Sequence, residues 1–257
     1  MNRLRESWVG TFLIIFGGQA FSLLGSFAVN FALVWWLTVE TGSATVLAWA
    51  TIAAVLPQAL ISPFAGPFID RWDRRWTMIG ADLAIAATSV VLIGAFAAGD
   101  PSPAWVLAVL ALRAVGAAFH TPASQAAVPM YVPAEELVRV AGWSFFLTSG
   151  MAMAGPVLGA FLMGIAPMGA VIAVDVAGAL IATASLLVVR IPNPERAAEE
   201  VAAPDVLREM AAGWQELVRH RGLVALTVVV TVSAFVFMPV SALYPLMTLE
   251  HFGGGAV

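Results

Sequence analysis

The sequence contains no cysteine and no lysine. The first absence excludes disulfides and thiolate metal sites and leaves the redox compartment unreadable. The second excludes a phosphate-binding loop of the Gly-x-x-x-x-Gly-Lys-Ser/Thr kind. Charge of either sign is scarce: 11% of the 257 residues are charged, against about 25% in soluble globular domains. Histidine is limited to His120, His220 and His251, far apart in the chain. These read as interfacial or solvated side chains, and no metal site is expected from them. No cofactor, no nucleic-acid partner and no enzymatic chemistry are expected either.

Apolar residues are abundant, at 61% of the chain, with a mean hydropathy of +0.91. Twelve basic and sixteen acidic side chains are too few to cover the surface of a water-soluble fold of this length. The surplus apolar surface must face a lipid bilayer. The run beginning near Phe12 is too long for the apolar region of a signal peptide, about 7–15 residues, so it reads as a retained first membrane helix.

A spanning helix needs about 20 mostly apolar residues. Seven stretches qualify: Val9 to Leu37, Ala44 to Phe64, Trp76 to Ala98, Ala104 to His120, Val138 to Ile165, Pro167 to Val189 and Gly222 to Met247. With these spans, the arginines fall on one side. Arg3 and Arg5 precede the first span, and Arg71, Arg74 and Arg75 join the second to the third. Arg139 follows the loop between the fourth and fifth, and Arg190, Arg196, Arg208, Arg219 and Arg221 lie between the sixth and seventh. The opposite loops carry Glu40, Asp100 and Glu250. The positive-inside rule therefore puts the N-terminus in the cytoplasm of a multi-pass protein of a bacterial inner membrane.

The expected organisation is a six-helix bundle over residues 1–190, a cytoplasmic linker over 191–221 and a seventh membrane helix within 222–257. In the linker, Leu207, Met210, Ala211, Trp214, Leu217 and Val218 recur with a helical period, opposite Arg208, Glu209, Glu216 and Arg219. Asp205 is placed to cap this helix. It reads as an amphipathic helix on the cytoplasmic face with Trp214 at headgroup level, or as an ordinary linker helix.

The loop after the second span reads Gly66-Pro-Phe-Ile-Asp70-Arg71-Trp-Asp73-Arg74-Arg75. Gly66 permits close helix approach or a tight turn, Asp70 offers a carboxylate to a helix N-terminus, and Arg71, Arg74 and Arg75 hold the segment at an anionic surface. The fifth span carries Gly150 and then Gly155-Pro156-Val-Leu-Gly159-Ala160. Its glycines clear a strip for another helix, and Pro156 weakens the local hydrogen-bond ladder.

The loop string resembles the cytoplasmic signature of the major facilitator superfamily, with Asp73 where many members have glycine. The Gly155-Pro156-x-x-Gly159 pattern is similar to the fifth-helix signature of that superfamily's antiporters. Longer strings, DRWDRRWTMIGADL, RAVGAAFHTPA and FMPVSALYPLMTLEHF among them, resemble bacterial macrolide-efflux pumps. The resemblance implies an all-α membrane fold: a six-helix N-terminal bundle of two inverted three-helix repeats, an interfacial helix and a seventh transmembrane helix. It implies proton-coupled efflux, or antiport, of a small amphiphilic molecule such as a macrolide-type drug, with export of a siderophore or other metabolite as the alternative. It also implies that the Asp70 loop and the Gly155–Pro156 strip pack against a C-terminal half of the same transporter. The chain is thus expected to be truncated and inactive alone, unless it is a non-transporting scaffold or regulatory fragment.

Ionisable groups inside a bilayer are costly and invite a functional reading. Asp82, roughly 9 Å into the third span, is expected to form a structural or gating ion pair with Arg74 or Arg75, or to carry a proton. Arg113 lies roughly 14 Å into the fourth span, in an Arg-x-x-Gly pattern that resembles the superfamily's fourth-helix motif. There the arginine is implicated in proton coupling, since a fixed positive charge lowers the proton affinity of a neighbouring carboxylate. Asp175, about 10 Å into the sixth span, is a candidate carboxylate, or a group in a water-filled vestibule or hydrogen-bonded between helices. Gln19, Ser22, Ser26 and Asn30 form a polar stripe on the first span that should face the bundle interior, lining a substrate path or joining helices.

The orientation can be checked in a chain with no cysteine of its own. A single Arg71→Cys substitution should react with a membrane-impermeant maleimide in inside-out vesicles and stay unlabelled in intact cells. Labelling from outside the cell would overturn the topology.

Overall fold

The computed structural model describes residues 2–69, 71–99, 101–189, 191–192 and 206–252. Among them there is no strand; the elements are α1 (Asn2–Thr41), α2 (Ala44–Ile69), α3 (Arg74–Ala98), α4 (Pro103–Tyr131), a single 3-10 turn (Ala134–Glu136), α5 (Leu137–Ile165), α6 (Met168–Val188), α7 (Val206–Arg219) and α8 (Arg221–Phe252). Seven of these helices are long and apolar enough to cross a membrane. The short polar α7 stands where the amphipathic linker helix is expected, with Trp214 exposed; Asp205 lies outside the described residues.

The helix ends differ from the sequence reading in one consistent way. The fourth helix continues through Pro122 and Pro129 to Tyr131 rather than stopping at His120, and α2 runs past Pro63 and Pro67 to Ile69. In a bilayer the alternative to helix is an unsatisfied backbone without water, so proline is tolerated inside a span where neighbouring helices and local adjustments serve the freed groups. As a result, His120 sits well inside a helix, with its side chain mostly buried.

The packing follows an inverted two-fold pattern. Exchanging α1 with α4, α2 with α5 and α3 with α6 turns the α1–α6 contact into α3–α4, turns α1–α5 into α2–α4, and leaves α3–α6 unchanged; these are the five dominant helix contacts. Two three-helix units thus share one core. Its two apolar clusters lie at opposite ends: one around Ile69, Met78, Ala123 and Leu186, the other around Leu37, Leu92, Val106 and Ile172.

Small residues set the distances between helices. A Cβ on Gly25 of α1 would lie 2.8 Å from Asp175 Cα of α6, and one on Gly178 would lie 2.6 Å from the Phe21 backbone oxygen. The two backbones therefore touch along a common seam, which is the usual basis of helix association where lipid tails remove the hydrophobic drive. Two glycines of α5 face α1 of this bundle: a Cβ on Gly155 would collide with Phe27, and one on Gly159 would lie 2.6 Å from the Ala28 backbone oxygen. Pro156 continues the helix without ending it. Gly150 and Gly66, by contrast, face open space among the described residues.

Helices α5 and α8 expose long apolar rows, including Phe145, Met153, Val157 and Phe161 on α5 and Phe235, Phe237 and Val240 on α8. Such rows are compatible with lipid or with further membrane helices, not with water.

The seam can be tested by thermal unfolding in detergent. Gly178→Ala and Gly159→Ala should each destabilise by about 1–3 kcal/mol through overpacking. Gly150→Ala should be neutral, or stabilise by up to about 1 kcal/mol through helix propensity. Equal behaviour of all three variants would contradict the packing described.

Candidate functional site

The charged centre of the bundle is built by four helices. α6 presents Asp175, 1% exposed, and α4 presents Arg113, 9% exposed. The guanidinium binds the carboxylate in a two-pronged arrangement: Nη1 donates to Oδ2 at 2.6 Å and Nη2 to Oδ1 at 3.1 Å. This matches the planar fork of arginine to the planar carboxylate, the strongest common geometry for such a pair. Two hydroxyls complete it. Ser26 of α1 donates to Oδ1 at 2.7 Å, and Ser89 of α3 donates to Oδ2 at 2.6 Å. Ser89 Oγ also accepts from Arg113 Nη1 at 2.5 Å.

The four contributing helices are the two symmetry-related pairs, α1 with α4 and α3 with α6. The close α1–α6 seam explains the reach of Ser26: with Gly25 against the Asp175 backbone, a side chain as short as serine spans the gap. Two of the three intramembrane charges singled out in the sequence, Arg113 and Asp175, are therefore brought together. Ser89 was not singled out, because a lone hydroxyl in an apolar run carries no signal until its neighbour across the helix interface is known.

Asp82 has a different partner from the one expected. Its Oδ1 lies 3.3 Å from His120 Nε2 of α4, while Arg75 reaches away to α6, donating from Nε to the Leu186 carbonyl at 2.6 Å and from Nη2 to the Leu187 carbonyl at 2.8 Å. The last carbonyls of a helix lack intrahelical donors and carry partial negative charge, so they draw a cation. Arg75 serves this end of α6 and also lies over the Trp76 ring. Arg74 is buried and Arg71 partly exposed.

In the loop motif, the helix-capping role belongs to Asp73. Its carboxylate accepts from the Trp76 backbone N–H at 3.1 Å and opens α3. Asp70, which the sequence offers to a helix N-terminus, lies outside the described residues. Asp73 was visible in the sequence as an acidic residue one position before the first turn of α3.

The polar stripe of α1 divides by function. Ser26 joins helices, Ser22 packs beside Gly178, and Asn30 is exposed, so the stripe does not face the interior along its whole length. Gln19 is buried, and it lines a cavity of about 250 Å³ between α1, α4 and α5 together with Phe16, His120, Gln125, Tyr131 and Thr148. No cluster of three or more metal-binding side chains occurs among the described residues.

Comparison with known proteins adds to this geometry. The family model of the Major Facilitator Superfamily matches residues 15–257. Macrolide efflux protein A of Streptococcus pyogenes is 42% identical over 254 residues, covering 98% of this chain and 62% of the relative. Macrolide efflux protein A of Enterococcus faecalis is 42% identical over 218 residues, covering 84% of this chain and 66% of the relative. An uncharacterized MFS-type transporter of Mycobacterium tuberculosis is 43% identical over 98 residues, which is 37% of this chain and 21% of that protein. The chain thus spans under two thirds of the length of these relatives.

The serine ligands yield a stability prediction. Hydrogen bonds to charged groups contribute about 1.5–3 kcal/mol, so Ser89→Ala and Ser26→Ala should each lower unfolding stability by about that amount, measured by thermal unfolding in detergent. Ser144→Ala, a hydroxyl outside this network, should leave it nearly unchanged. No difference between the network serines and Ser144 would contradict the arrangement.

Proposed function

Because the chain belongs to the Major Facilitator Superfamily, we propose that it supplies the N-terminal unit of an exporter that moves a small amphiphile out of a bacterial cell in exchange for protons. The chain is a multi-pass membrane protein of a transporter family, related to efflux pumps. Coupling, direction, substrate and orientation are the proposal. In it, residues 1–190 form the six-helix unit, 191–221 a cytoplasmic linker whose amphipathic helix lies at the bilayer surface, and 222–257 contain the first helix of a second unit. The partners are lipid, protons, the transported molecule and the C-terminal half of the carrier.

The observation that carries the reading is the Arg113–Asp175 pair. A buried carboxylate whose oxygens accept from an arginine and two serines on three other helices makes helix packing depend on a single proton. Protonating Asp175 cancels the charge that holds Arg113, leaving the guanidinium to seek other acceptors and loosening four helices together. Loss of that proton restores the pair. An equilibrium between two packings biased by a proton is what alternating access requires when two six-helix halves, each of two inverted three-helix repeats, rock about a mid-membrane site. The expectation that both charges sit deep in the membrane supports this, since charge there is too costly to be incidental.

For the transported molecule, the cavity beside Gln19 offers aromatic and aliphatic walls with amide and hydroxyl groups between them, a lining that suits an amphiphile. A macrolide-type compound is the first candidate, because the Streptococcus pyogenes relative is a macrolide efflux protein. The cytoplasmic placement of the N-terminus, in an inner membrane, rests on the arginine distribution. The loop residues Gly66, Asp70, Arg71, Arg74 and Arg75 belong at that cytoplasmic face.

In inside-out vesicles with an acidic interior, carrying the whole transporter, Arg113→Ala and Asp175→Asn should each abolish proton-driven macrolide uptake while membrane insertion persists. Uptake at the wild-type rate by either variant would remove the pair from the mechanism.

A further inference from the structure

The Arg113–Asp175 pair is not the only buried polar contact between helices. Asp82 is 3% exposed; Oδ1 lies 3.3 Å from His120 Nε2, which, like Oδ2, is buried without a hydrogen-bond partner among the described residues. His120 also lines the cavity beside Gln19, whose buried Nε2 is likewise without a partner. A carboxylate shielded from solvent thus approaches an imidazole that reaches a cavity with amide and hydroxyl groups in a mainly apolar wall.

The position of this pair relative to the first is fixed by helix geometry. Ser89 and Asp82 are seven residues apart on α3, as are Arg113 and His120 on α4. The antiparallel α3–α4 interface therefore carries two polar rungs, about 10 Å apart along the axis. Between them the interface is apolar and tight: Gly116 of α4 sits against Ile85 of α3, where a Cβ would lie 2.7 Å from Ile85 Cγ1. The Ile85–Gly116 contact separates the rungs, so the second is a site of its own and not an extension of the first.

We propose that the Asp82–His120 pair is a second protonation site, which exchanges protons with the cavity lined by Gln19 and His120 and serves the end of the bundle nearer the Arg71–Arg75 loop. Histidine suits this task because its unperturbed titration lies near physiological pH. A proton taken up by the ring neutralises the buried charge of Asp82. This assignment rests on the proton-coupled reading above and adds a place where a proton is held on the side opposite the α1–α2 connection.

The other ionisable groups near the pair are few. From α6, Asp175 is engaged by Arg113 two turns away. On α3 itself, Arg75 is bound to the α6 carbonyls and Arg74 stands about two turns toward the loop. On α4, Tyr131 shares the cavity. α2 carries no ionisable residue, and the cavity-lining residues of α1 and α5 are apolar, amide or hydroxyl. His120 is therefore the one group of this set that combines contact with a buried carboxylate and access to a cavity.

Histidine-selective isotope labelling tests this directly, because the chain has only three histidines. In the full chain in detergent or nanodiscs, the His120 imidazole resonance, assigned by its loss in His120→Gln, should move across about pH 5–9. Asp82→Asn should change that response and leave those of His220 and His251 as they were. A His120 resonance that is constant over this range, or that responds identically in Asp82→Asn, overturns the proposal whatever the transport result.

In acid-interior vesicles carrying the whole transporter, His120→Gln and Asp82→Asn should reduce proton-driven uptake on the order of tenfold or more and alter its pH profile. Asp82→Glu should recover much of the activity. Wild-type uptake with an unchanged pH profile in His120→Gln likewise overturns the proposal, while leaving the Arg113–Asp175 reading intact. If proton-driven uptake is absent from the wild type, the coupled-export reading falls, and the imidazole titration alone decides whether the second site exists.

Discussion

The bundle depends on a charge pair that is stable only because its surroundings complete it. An arginine and an aspartate taken out of water each lose several kcal/mol of hydration, and their mutual attraction offsets this loss only when the geometry is good and the remaining donors and acceptors are served. Arg113 and Asp175 meet that requirement through a two-pronged contact and two serine hydroxyls. Four helices must then be in register at once. The glycine seam between α1 and α6 is part of the same device, since Ser26 reaches Asp175 only when Gly25 lets the backbones touch.

The scaffold and the charges divide the work. Packing between the two three-helix units is nearly symmetric, whereas the polar groups on the symmetry-related helices are not: α1 contributes a serine and α4 an arginine, α3 a serine and α6 an aspartate. Under the proposed proton coupling, this asymmetric set of charges is what a proton would act on, and closely packed interfaces of this kind switch between packings and do not deform continuously. The apolar rows on α5 and α8 lie outside this core, where lipid or further helices can cover them.

Much of this architecture was legible in the sequence because a bilayer imposes blunt rules. Apolar runs of spanning length, with eleven of twelve arginines confined to alternate loops, fix the number of spans before any contact is known. Helix ends were less legible. Pro122 and Pro129 resemble stop signals in a soluble helix, yet here they lie inside α4, and the partner of Asp82 was consequently missed. Pairings between distant segments were the hardest to read. The depth of Arg113 and Asp175 suggested that they matter, but nothing local says that Ser26 and Ser89 complete the site, or that Arg75 turns to the α6 carbonyls. The glycines of α5 showed a helix contact without naming the helix, and Gly155 and Gly159 lie against α1.

The account stands on coupling between Arg113 and Asp175, and a double-mutant cycle on unfolding stability measures it most directly. Arg113→Met and Asp175→Leu should each destabilise by about 3–5 kcal/mol, the cost of leaving one buried charge uncompensated. The double variant should be more stable than either single one, so the coupling should exceed about 3 kcal/mol. Additive losses with no coupling would show that the two charges do not hold each other, and would contradict the central claim.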